Sequence, residues 1–353
     1  MIELLPLNIP QSEGKPFIIA GPCAAETEEQ VMCTAQALAK HGVKIMRAGV
    51  WKPRTKPGCF EGCGVPALQW LKEAKEATGM LTSTEVATPE HVEEALKYGI
   101  DILWVGARTT TNPFAVQALA DCLKGTDVTL LVKNPISPDL DLWIGAFERF
   151  NKAGIKRLGA IHRGFFSYGE TIYRNSPMWQ IPIELRRRIP ELPICCDPSH
   201  MGGAKHLIAP LAQQALDMGG DGLMIECHCN PEKALSDAQQ QLLPEELAGI
   251  ISALNIRQSS CPTDEIKKLR IQIDELDNNL IDLLSKRMQI CREIGSYKKN
   301  NNITILQTDR YNEILDMREN QGKGLNMSSD FIRSIFEHIH EESIRQQIKV
   351  FRK

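Results

Sequence analysis

The stretch DGLMIECHCNPEKALSD, residues 221–237, gathers two cysteines, one histidine and four carboxylates within seventeen positions. Thiolate, imidazole and carboxylate are the side-chain groups that hold divalent metals, and short Cys/His spacings occur in closed zinc sites. Along a strand, alternation turns Cys227 away from the face that carries Glu226. Other chemically loaded positions are spread over the preceding two hundred residues: Cys23, Arg47, Lys52, Arg54, Glu85, Arg108, Lys133, His162, Arg163, Asp197 and His200. A lone Arg or Lys is usually a solvated surface charge, but six cations at one place suit phosphate and carboxylate ligands.

These positions share a context. Each lies at or just beyond the end of one of eight short apolar runs: FIIAG, VKIMRAG, LTSTE, ILWVGA, TLLVKN, LGAIHRG, PICCDPS and GLMIEC. Helix-like segments such as EEQVMCTAQALAKHG and PEHVEEALKYG separate successive runs. A strand–helix unit repeated eight times over roughly 250 residues is the arithmetic of an α/β (β/α)8 TIM barrel, whose active sites form where strands end. We assign residues 1–256 to that barrel, 257–264 to a linker and 265–353 to a separate all-α domain.

The 353 residues exceed what one core usually organises, in keeping with two domains. With 41 basic and 44 acidic side chains the formal charge is -3, which gives no electrostatic case for nucleic acid or an anionic membrane as partner. The opening MIELLPLNIPQSEGKPF lacks a basic start followed by a long apolar run, and no apolar run elsewhere would span a bilayer. The expectation is a cytoplasmic protein. Its eleven cysteines are odd in number and partly in strand-like runs, so we read them as reduced thiols.

After residue 256 the period changes. Thr263 is the expected N-cap of a helix with Asp264 and Glu265 in its first turn. A three-four stripe follows: Ile266, Leu269, Ile273, Leu276, Leu280, Leu283, Arg287, Ile290 and Ile294. Nothing breaks this helix before the asparagines at 300–302, a length of about 50 Å. So long a stripe requires partners, most simply a second copy of itself and the helices around RYNEILDMREN and SSDFIRSIFEHIHEESIRQQIKV. Arg287 breaks the apolar stripe. In the last helix Ser343 shares a seven-residue register with Phe336 and Val350, and Gln347 lies one turn on. An anion held inside a helical bundle would satisfy these polar groups.

The barrel half resembles the DAHP (3-deoxy-D-arabino-heptulosonate 7-phosphate) synthases in their compact microbial form. The resemblance covers residues 10–255 and is carried by GPC (21–23), KPRTKPGCFEG (52–62), GARTT (106–110), VKNP (132–135), HRGF (162–165), DPSHMGG (197–203) and IECHCNPEKALSD. It implies one divalent metal ion, Mn, Fe, Co or Zn, on Cys23, His200, Glu226 and Asp237. It implies that Arg47, Lys52, Arg108, Lys133 and Arg163 hold phosphoenolpyruvate, Lys52 also assisting proton transfer. Arg54 and Thr55 would hold the phosphate of erythrose 4-phosphate. The sister activity, which takes arabinose 5-phosphate to a 3-deoxy-octulosonate 8-phosphate, has an Asn-containing KANRSS-like loop where this chain has KPRTKP.

The helical half, about 264–350, resembles the all-helical chorismate mutases through LRIQIDELDNNLIDLLSKRM, IGSYKK, DR and EESIRQQ. The resemblance implies that chorismate is held by Arg270 from a partner chain together with Arg287, Lys298, Arg310, Ser343 and Gln347. Of these, Arg287, Lys298 and Gln347 would act in the rearrangement to prephenate. It departs at Tyr311 and Gln307, where the family generally carries acidic residues; Asp309 or Glu313 stand nearby as substitutes. The departure sets a second reading beside the enzyme: a binding module that senses prephenate or chorismate and regulates the barrel. A homodimer through the helical domain, or a higher oligomer, is expected.

Overall fold

The computed structural model describes residues 2–10, 14–53, 58–169, 172–257 and 263–352. The chain divides into two compact units, Met1–Ser259 and Ser260–Lys353. In the first, parallel strands β1 (Phe17–Gly21), β2 (Ile45–Arg47), β3 (Leu81–Val86), β4 (Ile102–Val105), β5 (Thr129–Lys133), β6 (Leu158–His162), β7 (Ile194–Cys196) and β8 (Gly222–Glu226) close into a barrel in chain order. Strand β1 pairs with β8 over its whole length, Phe17 opposite Gly222 and Gly21 opposite Glu226. The connections carry α1 (Glu28–Lys40), α2 (Val65–Thr78), α3 (Pro89–Lys97), α4 (Ala107–Thr110), α5 (Pro113–Leu123), α6 (Leu140–Lys152), α7 (Gln180–Arg188), α8 (Pro198–Gly202), α9 (Lys205–Asp217) and α10 (Pro244–Ala253). Thr27, Thr88, Asn112 and Asp139 start α1, α3, α5 and α6, each side chain accepting a first-turn N–H that would otherwise be unpaired.

Alternation along the strands makes two cores. Phe17, Ile19, Ile45, Ile102, Trp104, Leu131, Ile161, Cys195 and Met224 fill the lumen. Their neighbours in sequence, such as Ala20, Met46, Leu103, Val132, Ala160 and Ile225, pack outward against the helices. Gly222 is required in the lumen, because a Cβ there would stand 2.4 Å from the Phe17 ring. One step of period two above the apolar layer lies a charged one. Arg47, Lys133, Arg163, Asp197 and Glu226 each follow an inward apolar residue by two positions, namely Ile45, Leu131, Ile161, Cys195 and Met224. The sheet therefore aims five charged side chains at one mouth.

The second unit consists of α11 (Asp264–Asn300), α12 (Thr308–Lys323) and α13 (Ser329–Phe351). Thr263 accepts the Ile266 N–H at 3.4 Å, so the helix begins within the stretch read as linker. The C-terminal part of α11 packs on α13, where Gly295 permits close approach; a Cβ would lie 3.2 Å from Gln347 Cα. The first twenty residues of α11 are exposed throughout. Ile266, Leu269, Ile273, Leu276, Leu280, Leu283, Ile290 and Ile294 are all at least 42% exposed, so among the described residues of this unit the apolar stripe stays largely uncovered.

Candidate active sites

At the barrel mouth, Cys23 follows β1, His200 sits on α8, Glu226 ends β8 and Asp237 lies in the loop beyond β8. One donor atom from each lies within 4.8 Å of all the others. Cys23 Sγ is 3.3 Å from Asp237 Oδ2, and His200 Nε2 is 3.5 Å from Glu226 Oε1 and 3.9 Å from Asp237 Oδ2. Donors at about 2.0–2.3 Å from a tetrahedral ion stand roughly 3.5 Å apart, so the four fit a metal without rearrangement of the backbone. Asp237 takes a left-handed backbone, φ 51°, a conformation that Asp tolerates better than most residues.

Neighbouring groups orient these four. Asp197 Oδ2 contacts His200 Nδ1 at 2.8 Å and accepts from Lys133 Nζ at 3.0 Å, while Oδ1 caps α8 through the His200 N–H. Such a carboxylate fixes which ring nitrogen faces a metal. Glu226 accepts from Arg47 Nη2 at 3.1 Å and from Gln240 Nε2 at 2.6 Å. Lys52 Nζ donates to Cys23 Sγ at 3.0 Å. Burial, with the charges of Glu226 and Asp237, pushes the Cys23 thiol up to about 12. Burial works against ionised Asp197, Glu226 and Asp237 as well, but His200 and the adjacent cations hold all three below the usual carboxylate range. A divalent ion held by this anion cluster would release the thiol proton.

Beside the cluster a cavity of about 290 Å³ is lined by Lys52, Glu85, Arg108, Lys133, Arg163 and Arg174, with His200 and Asp237 on its wall. Arg163 donates to Asn175 Oδ1 at 2.6 Å, and burial lowers its pKa to about 10, which leaves it charged near neutral pH. Arg47 is not on the wall. It lies beneath, 1% exposed, its guanidinium 5.1 Å from the Trp104 ring centroid, with Nε and Nη1 buried and unpartnered. His162, counted above among the mouth residues, faces outward between Phe165 and Trp179, because alternation gives the inward place to Arg163. Arg54 and Thr55 lie outside the described residues.

Of the opening stretch, only Glu226 and Asp237 join the cluster. Cys227 belongs to the outer core, and Cys229 donates its N–H to Thr34 on α1. Arg174, which pairs with Asp237 at 3.0 Å and with Gln240 at 2.8 Å, was missed from sequence. Its loop between β6 and α7 has no periodicity to read; only its length, greater than a connection needs, marked it.

The helical unit brings a second polar group together between α11 and α13. Arg287 Nη1 donates to Ser343 Oγ at 2.5 Å, and that hydroxyl donates to the Ile339 carbonyl. Lys298 is buried and donates to the Ile305 carbonyl at 2.7 Å. Gln347 is buried with its Oε1 unpartnered. Arg310 is exposed and paired with Glu313, which takes that carboxylate out of reach as a substitute acid. Tyr311 stacks on His340. Arg270 does not reach this group: it precedes Arg287 by seventeen residues, about 25 Å along the helix.

Comparison with known proteins separates the same two parts. Residues 6–259 match the DAHP synthetase I family and residues 269–348 match chorismate mutase type II. A phospho-2-dehydro-3-deoxyheptonate aldolase of Thermotoga maritima is 33% identical over 247 residues, covering 68% of this chain and 71% of the relative. A 2-dehydro-3-deoxyphosphooctonate aldolase of Nitratidesulfovibrio vulgaris is 28% identical over 68% of this chain and 90% of the relative. The crystal structure of the Thermotoga maritima DAHP synthase superposes with a TM-score of 0.63 at 29% identity, over 77% of this chain and 74% of that one.

Proposed function

We propose how two active sites work in a chain that belongs to the DAHP synthetase I family and carries a chorismate mutase type II domain behind its barrel. It is a bifunctional enzyme of the shikimate pathway, a DAHP synthase joined to a chorismate mutase. The observation that carries the synthase site is the four-donor cluster on the wall of a cation-lined cavity.

Cys23, His200, Glu226 and Asp237 hold one divalent ion, and Mn, Fe, Co and Zn all suit this mixed donor set. When bound, the ion polarises the aldehyde of erythrose 4-phosphate. Lys52, Arg108, Lys133 and Arg163 bind the phosphate and carboxylate of phosphoenolpyruvate, and the unpaired Nε and Nη1 of Arg47 complete that anion site from below. Arg54 and Thr55 take the phosphate of the aldose. The enol carbon attacks the aldehyde while Lys52 Nζ supplies a proton to the aldehyde oxygen. Water then adds to the cationic centre left on the former enol, and inorganic phosphate departs. Excluding bulk water strengthens each of these charge contacts.

In the helical domain Arg287, Lys298, Ser343 and Gln347, with Arg310 and the partner's Arg270, hold the carboxylates and ether oxygen of chorismate. The rearrangement is unimolecular, so the residues act by selecting the compact conformer and by placing cations at the ether oxygen. Arg270 enters from a second chain, because its own pocket is too far away. The exposed α11 stripe supports such a homodimer: each half-exposed Leu or Ile covered is worth on the order of 1 kcal/mol. We place the domain junction at 257–264 and the enzyme in the cytoplasm; among the described residues no helix is long and apolar enough to cross a membrane.

The test is phosphoenolpyruvate consumption with erythrose 4-phosphate before chelation, after it and after manganese is restored. Loss and recovery are expected; consumption that ignores chelation would retire the ligand assignment. Arabinose 5-phosphate belongs in the same assay, since the 28% identical relative acts on the octonate series by its name. The KPRTKP loop supports the four-carbon aldose, so arabinose 5-phosphate should be the poorer acceptor. A regulatory role for the mutase domain, with prephenate as effector, is favoured by its fusion to a barrel that has no inserted domain among the described residues.

A further inference from the structure

One polar side chain of the helical pocket has no part in the reaction described above. His340 lies on α13 one turn before Ser343 and two turns before Gln347, so the three share a face. Its Nε2 is buried without a hydrogen-bond partner, as is Oε1 of Gln347. The ring is held by Tyr311 of α12, with centroids 4.1 Å apart and planes 29° from parallel. Burial, then the charges of Arg287 and Lys298, lower its pKa and keep the imidazole neutral.

The pocket therefore presents two kinds of group. Arg287 and Lys298 offer charge, which suits carboxylates. The neutral imidazole offers a single uncharged hydrogen bond beside them, which suits a hydroxyl. The carboxylates nearest in sequence, Asp309 and Glu313, are exposed, and Glu313 is paired with Arg310. A buried ring nitrogen left unpaired is costly, and a ligand group that paired with it beside Arg287 and Lys298 would offset that cost. Chorismate has two carboxylates, an ether oxygen and one ring hydroxyl. The cations account for the first three.

We propose that His340 Nε2 hydrogen-bonds the ring hydroxyl of chorismate, with Tyr311 as the positioning residue that orients the imidazole. This rests on the mutase reading of the pocket. A neutral contact has a consequence for specificity: it recognises the hydroxyl without competing for Arg287 and Lys298, as a carboxylate at that place would.

The test compares chorismate with an analogue lacking the ring hydroxyl, using the full chain and its variants His340→Leu, His340→Gln, Tyr311→Leu and Arg287→Ala. His340→Leu should lower kcat/KM for chorismate about tenfold, the scale of one lost hydrogen bond, and leave the analogue within about twofold. His340→Gln keeps a hydrogen-bonding group and should recover part of the loss. Tyr311→Leu should shift discrimination between the two substrates in the same direction by a smaller factor. An equal loss on both substrates, or none on either, overturns the proposal. Thermal unfolding of each variant checks that the helices persist, and His340→Gln serves if His340→Leu does not fold. Arg287→Ala separates the levels. If it turns over chorismate as fast as the parent, the mutase reading fails and the proposal with it. If it is inactive while His340→Leu matches the parent, only the proposal fails.

Discussion

In the barrel, Asp197 and Glu226 are fully buried and Arg47 is 1% exposed, yet each carboxylate has a cation within 3.1 Å and a second polar contact within 2.8 Å. In the helical unit, Lys298 leans on a carbonyl, Gln347 and His340 each bury an unpaired atom, and the apolar side chains of the α11 stripe are exposed. The difference is one of completeness within a single chain. Closed sheet topology brings residues 214 positions apart, Cys23 and Asp237, to 3.3 Å, and leaves no edge unsatisfied. A cover for the exposed stripe of the helical unit is what a second copy would bring.

The largest expected effect lies in the barrel. Cys23→Ser or Glu226→Gln should lower synthase turnover on the order of a thousandfold and reduce bound metal measured by elemental analysis, since removing one donor forfeits several kcal/mol of charge stabilisation. Chorismate turnover should stay within about twofold, because all four donors belong to the first unit. A variant that loses both activities would break the separation of the two sites.

Next comes Arg287→Ala, which should lower chorismate turnover about a hundredfold or more, the scale of one lost oxyanion contact. Ser343 keeps its bond to the Ile339 carbonyl, so the fold should survive, and phosphoenolpyruvate consumption without effector should not change. If chorismate turnover persists, the cation at the core position of the stripe is structural and the pocket lies elsewhere.

How much of this could be read from residues alone follows the same contrast. The barrel was legible because one rule, period two, fixes both the apolar lumen and the charged layer above it: Ile45 predicts Arg47, and Met224 predicts Glu226. The rule assigns a face but not a depth, so Arg47 was expected on the cavity wall and lies beneath it, drawn down by Glu226 and Trp104. At β6 the cavity-facing place belongs to Arg163 rather than His162. Arg174 escaped because its loop has no period. In the helical half the stripe itself was legible, but a stripe does not reveal that His340 meets Tyr311 across two helices, since neither spacing nor residue type links positions 311 and 340.

Dimerisation gives a prediction of intermediate size. Leu276→Asp, in the middle of the exposed stripe, should yield a smaller species by sedimentation and lower chorismate kcat/KM about tenfold or more if each pocket takes Arg270 from a second copy. Mixing Arg270→Ala with Arg287→Ala sharpens the point. Each should be strongly impaired alone, but a mixed dimer would hold one pocket with both arginines, so activity should rise to about a quarter of the parent's on random exchange. No recovery, with exchange verified, would place Arg270 outside the pocket.

The smallest effect joins the two units, and it bears on why an open helical domain follows a closed barrel at all. A site that a second chain and a ligand would finish would have a free energy that depends on both, whereas the barrel's buried carboxylates are held by its own ion pairs. Such a domain responds to ligand by shifting population, and a barrel linked to it can read that shift if the two states differ in affinity. Prephenate should therefore slow phosphoenolpyruvate consumption by the full chain several-fold, within the usual range of coupling energies. Arg287→Ala should abolish the slowing while leaving the uninhibited rate unchanged. Inhibition that survives in Arg287→Ala would mean prephenate acts at the barrel's own cations, Lys133 and Arg163 among them, and the helical domain would then be an independent enzyme that shares a chain.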